Sequence, residues 1–256
     1  MKIEGFFAAS SLLILLCAPS VRADAIVVPN TLATADGNDN NFGPFFNNSV
    51  RYQQVYAASQ FPSSTGPLMI TQIAFRPDGS VTDASLKIFF NTARIDLSTT
   101  SGTPTTLSPV FANNVGADDK TVFNSFVFTS APVTGPTGGP KDFTITFALN
   151  PFVYDPSAGN LLLDVRAFES GGGISAPFDA ESNSPFTAHV DAPDISAASG
   201  SSFATGLVTQ FQFTAVPEPS TVALGSTGVL LVGVGAWCRH RRSGWRLRRV
   251  TDLDGR

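Results

Sequence analysis

Asp142-Phe143-Thr144-Ile145-Thr146-Phe147-Ala148-Leu149 alternates apolar and polar or small side chains along its length. Successive side chains of a strand point to opposite faces. Phe143, Ile145, Phe147 and Leu149 therefore share one face, with Thr144, Thr146 and Ala148 on the other. Residues 205–215 repeat the pattern, with Leu207, Phe211 and Phe213 inward and Gln210, Gln212 and Thr214 outward. Shorter apolar runs elsewhere predict strands over 25–28, 50–57, 68–76, 85–91, 121–129, 160–168 and 186–190. Turn-forming clusters separate them, among them Arg76-Pro77-Asp78-Gly79, Asp155-Pro156-Ser157-Ala158-Gly159-Asn160 and Gly171-Gly172-Gly173. Residues 24–215 show no helical period, so the expected fold is all-β, a single β-sandwich or jelly-roll-like domain with phenylalanine-rich inner faces. Residues 36–48 and 170–202 are rich in Asn, Gly, Ser and Asp and are expected to form long surface loops, the second carrying a brief strand.

The composition of this interval narrows its chemistry. The chain's two cysteines, Cys17 and Cys238, both lie outside 24–215, so the domain must be held by its apolar core rather than by disulfides. It is long enough to build one. Seven basic and sixteen acidic residues give 24–215 a net charge of −9. Such a surface repels nucleic acid, and no basic stripe interrupts it.

Both ends carry membrane-directed patterns. At the N-terminus, Lys2 precedes an apolar run over 6–17 and then Val21-Arg22-Ala23, a signal peptide over 1–23 with cleavage between Ala23 and Asp24 by signal peptidase. The C-terminal part holds Val216-Pro217-Glu218-Pro219-Ser220-Thr221, an uncharged stretch over 222–238, and a cluster opened by Arg239, Arg241 and Arg242. From Thr221 to Cys238 a helix rising about 1.5 Å per residue is roughly 27 Å long, enough to cross a hydrocarbon core. The arginines act as a stop signal and keep the tail over 243–256 in the cytoplasm. The two prolines hold Glu218 extended before that helix.

Pro217-Glu218-Pro219, hydrophobic helix and basic end together resemble the PEP-CTERM sorting signal of exported bacterial proteins, here over 216–242. The resemblance implies recognition by an exosortase, a membrane-embedded transpeptidase-like protease, after transient anchoring in the inner membrane. It also implies delivery to the cell surface or an exopolysaccharide matrix. Arg51-Tyr52-Gln53-Gln54-Val55-Tyr56, Ile73-Ala74-Phe75-Arg76-Pro77-Asp78 and Gly159-Asn160-Leu161-Leu162-Leu163-Asp164-Val165 are similar to recurrent phrases of PEP-CTERM ectodomains. The tail beyond Ser243 is longer than the usual basic stub.

Catalysis is hard to assemble from 24–215. His189 is the only histidine there and is expected at a surface or strand edge, with no nucleophile elbow in the sequence. Glu169 and Glu181 are the only glutamates for a two-carboxylate glycosidase mechanism. The protein is therefore not expected to be an enzyme. For metal, Asp36, Asn38 and Asn40 place oxygen ligands at alternating positions and could hold calcium, although Asn41 and Asn47 stand where an EF-hand has glycine and glutamate. A plain Asx-rich loop explains the same residues. For sugar, Tyr52 and Tyr56 share a strand face and either bind a glycan or cap the core.

Overall fold

A computed structural model describes residues 23–45, 49–62, 66–168, 173–174 and 176–216. In chain order its strands are β1 (Asp24–Val28), β2 (Asp39–Asn41), β3 (Val50–Tyr56), β4 (Leu68–Phe75), β5 (Ser85–Thr100), β6 (Lys120–Pro132) and β7 (Ile145–Tyr154). The second half contributes β8 (Asn160–Phe168), β9 (Gly173–Ile174), β10 (Phe178–Ser182), β11 (Thr187–Ala192), β12 (Ser201–Phe203), β13 (Thr205–Leu207) and β14 (Thr209–Ala215). Helical structure among the described residues is limited to single 3-10 turns.

All named strand pairs are antiparallel. One sheet runs β1-β14-β4-β7; the larger runs β12-β11-β3-β8-β5-β6, with β9 beside β5. A small sheet, β13-β10-β2, completes the set. The main core joins inward residues of the first sheet, such as Ile73, Phe147 and Phe211, to those of the larger one, such as Tyr56, Ile95 and Leu163. The arrangement is a β-sandwich with open sheets. β1 lies against β14, with Asp24 opposite Phe213, so the first and last strands of the domain are neighbours.

The alternation predicted over 142–149 holds for Ile145, Phe147 and Leu149, which are buried. Phe143 departs from it. It lies before β7, packs with Val27, Leu32 and Val208, and takes the Arg76 guanidinium 5.0 Å above its ring. The strand expected over 205–215 breaks at Val208, whose amide bonds to Asp179 of β10, so its two halves serve different sheets. The strand expected over 85–91 continues to Thr100. A bulge between Phe90 and Ala93 shifts the phase from buried Leu86 and Ile88 to buried Ala93, Ile95 and Leu97.

The two expected surface loops are also corrected. Residues 36–48 contain β2 and the wholly buried Phe45, whose ring stacks on Phe147 at 5.3 Å and meets Phe75 and Phe178 edge-on. Residues 170–202 supply β9, β10, β11 and β12. An aromatic ring entering a core binds its loop to it as firmly as a strand would, because burial removes a large apolar area from water.

Candidate functional site

Ala23 and Asp24 are exposed at the start of β1, and Val216 follows β14 directly. Pro217, Glu218, Pro219, Ser220, the stretch 222–238, Arg239, Arg241 and Arg242 lie outside the described residues. Among the described residues no helix is long and apolar enough to cross a membrane.

Within the domain, β3 organises the polar chemistry. Both of its faces are covered, so Gln53 and Gln54 are both fully buried and must find partners. Gln54 faces the core and treats Leu207 as a neighbouring strand would. Its Nε2 donates to the Leu207 carbonyl at 2.9 Å, and its Oε1 accepts the Leu207 amide at 2.8 Å. The Tyr52 hydroxyl donates to the same Oε1 at 2.5 Å. Gln53 faces outward, where its Nε2 donates to Phe111 carbonyl and to Asp164 while its Oε1 accepts from Asn114. Adjacent glutamines thus fasten covers to opposite sides of one strand.

Tyr52 and Tyr56 do share a face, as expected, but it is the core face and both are fully buried. They offer no exposed ring to a glycan, which corrects their candidacy as ligand residues. The Tyr56 hydroxyl pairs with Thr209, and burial pushes both phenols up. His189 is likewise no surface residue. It sits in β11 between β3 and β12, buried, with its ring stacked on Tyr52 at 4.9 Å and on Phe203 at 4.9 Å. Its Nδ1 lies 2.5 Å from the Thr205 carbonyl. A carbonyl only accepts, so Nδ1 carries the proton and Nε2 is left as an acceptor. Burial holds this imidazole below its ordinary value and raises Asp191, two residues on.

The stack ends at the surface. Phe203, on edge strand β12, is 46% exposed and lines, together with His189, a cleft of about 500 Å³. Asn183, Ser184, Ser202 and Thr105 contribute polar groups to that cleft, and no Asp, Glu, Lys or Arg lines it. Asn183 holds a left-handed backbone (φ 57°), and its amide bonds to the Ala204 carbonyl at 2.6 Å. Asparagine tolerates this region better than most residues.

The three residues expected as calcium ligands differ in their partners. Asn38 spends its side chain on Ser182, accepting the amide at 2.8 Å, and Asn40 is exposed in β2. Asp36 instead meets Asp78 and Asp179, with carboxylate oxygens within 4.8 Å of one another. Arg76 is the cation at this point: its Nε donates to Asp179 at 2.6 Å and its Nη2 to the carbonyls of Leu32 and Ala35. Gly37 and Gly79 have no room for a side chain here, since a Cβ would lie 2.5 Å from an Asp179 oxygen and 2.0 Å from an Asp36 oxygen respectively. Burial pushes Asp179 up to about 6 despite Arg76, and burial with the Asp78 charge raises Asp36. Carboxyls raised in this way hold protons more readily, and Asp36 Oδ1 is buried without a hydrogen-bond partner. Both acids are therefore protonated more readily than ordinary aspartates.

A second ionic group escaped sequence reasoning. On the outward face of the larger sheet, Arg51, Arg166 and Arg94 stand in register across β3, β8 and β5. Gln53, Asp164 and Asp96 form the next row. Asp164 receives Arg51, Arg166 and Gln53; Asp96 receives Arg94, Arg166 and Thr121. Arg51 also lies 4.4 Å over the Phe111 ring. The available signal was the two-residue spacing of the charges in Arg94-Ile95-Asp96 and Asp164-Val165-Arg166, each pair sharing one strand face.

No family model matches this chain, and comparison with curated proteins and with solved structures finds no similar one.

Proposed function

We propose that this is an exported, non-enzymatic surface or extracellular-matrix protein, sorted by an exosortase through Pro217-Glu218-Pro219 and serving a structural or adhesive role beside exopolysaccharide. The observation that carries it is the order along the chain: proline-glutamate-proline, an uncharged stretch over 222–238, then arginines. The domain's limits support the reading. β1 begins at Asp24, where the signal peptide is expected to end, and β14 ends at Ala215, two residues before Pro217. Since β1 and β14 pair, cutting outside them leaves every strand of the sandwich in place.

Replacing Pro217, Glu218 and Pro219 with alanine is expected to leave the full-length chain in the inner membrane. Wild type should yield a product that begins at Asp24 and ends near residues 216–220. Intact mass and fractionation of native cells measure both. A triple variant that matures like wild type overturns the sorting reading.

A further inference from the structure

We propose that the cleft beside Phe203 is a binding site for a neutral saccharide, with the exposed Phe203 ring as its platform. The inference is independent of the sorting reading and differs from a tyrosine-based glycan site, since Tyr52 and Tyr56 are buried.

Three observations converge on it. First, the platform is rigid: Phe203 lies parallel to His189 within 16°, and His189 to Tyr52 within 22°, so the exposed ring is backed by a buried column. A ring held this way gives large contact area with little further ordering. Second, the polar groups around it are neutral hydrogen-bonding groups with unused capacity. Asn183 spends its Nδ2 on Ser182 at 3.2 Å, which leaves Oδ1, and Ser202 Oγ bonds to no described residue. An apolar face with hydroxyls and an amide at its rim complements a pyranose, which presents C–H groups on one face and hydroxyls at its edge. Third, charge selects against the alternatives. The cleft has no carboxylate for a cation and no cation for an anion, and the −9 domain around it repels acidic ligands. Its volume of about 500 Å³ accommodates a short run of sugar units.

The test is ligand-observed NMR on the full chain with maltohexaose, mannohexaose and chitohexaose as neutral probes and hexagalacturonate as the acidic one. At least one neutral probe should bind saturably with a Kd below about 1 mM. Phe203→Ala should weaken it by about tenfold or more, since a lost aromatic contact is worth that much. Phe203→Trp should retain binding, which separates loss of the platform from loss of the fold. Phe168→Ala, at an exposed ring elsewhere, should change nothing. Absence of binding by all three neutral probes overturns the proposal. So does unchanged affinity in Phe203→Ala, or hexagalacturonate binding as tightly as the neutral sugars.

Discussion

The two ionic groups of this domain solve the same problem with opposite stoichiometry. In the outward ladder, three arginines surround two buried aspartates, and each aspartate has three side-chain donors. The third arginine charge is met by the neighbouring Asp119 and by water, since the arginines are partly exposed. Around Arg76, one buried arginine faces three carboxylates, with Lys141 adding a weaker positive field at Asp36, and its direct partner Asp179 is fully buried. There the excess is negative and largely dry, so burial and mutual repulsion act on the acids themselves. A redundant surface network tolerates damage, whereas a single buried counter-ion does not.

Removing that counter-ion is expected to have the largest effect. Arg76→Met strands Asp179 and frees the carbonyls of Leu32 and Ala35, and should cost about 3–5 kcal/mol in urea unfolding. A loss below about 1 kcal/mol would mean that Asp179 is already neutral and that the contrast is wrong.

The next effect is one of pH. The folded-state value of Asp179, about 6, lies above the unfolded 3.8. The folded protein therefore holds this proton more tightly. The resulting stability is fully present below about pH 4 and is lost as pH rises through 6, a change of roughly 2–3 kcal/mol. His189 works the other way: its lowered value means stability is lost as pH falls below the ordinary histidine range. A His189→Phe background keeps a ring in the stack and removes that opposing slope. In it, the urea midpoint should be higher at pH 5 than at pH 7. A flat profile would contradict the raised value for Asp179.

The smallest effect belongs to the ladder. Arg94 is 43% exposed, and Asp96 keeps Arg166 and Thr121 without it. Arg94→Ala should lower stability by less than about 1 kcal/mol by the same unfolding measurement. A loss as large as that of Arg76→Met would erase the distinction between the two groups.

Much of this was legible beforehand in some elements and hidden in others. β8 occupies the predicted 160–168, and β3 and β4 each end one residue short of prediction, because alternation and flanking turns are local properties. β5 was cut short because a bulge reverses the phase that period-two reading follows. β2, β10 and β12 are three to five residues long, too short for an alternation to show, and β2 and β10 exist through pairing with each other across the chain. Local spacing sets Asp36 beside Asn38 and Asn40, whereas the acids it meets are Asp78 and Asp179. Asp78 and Asp179 lie far along the chain, and no local spacing brings them to it. Phe203 carried no signal at all, sitting in a stretch of Ser, Ala and Gly.

The sequence by itself determined what depends on composition and short-range order: an all-β domain over 24–215, no disulfide to hold it, an acidic exterior, and the proline-glutamate-proline segment with its apolar and basic sequel. Tertiary structure decided which polar residues are buried and what they meet. Gln53 and Gln54 are chemically identical neighbours, yet one ties down Asn114 and the other Leu207, because strand geometry turns them to opposite faces. His189 and Tyr52 form a column behind Phe203 because β11 pairs with the distant β3 on one side and with β12 on the other.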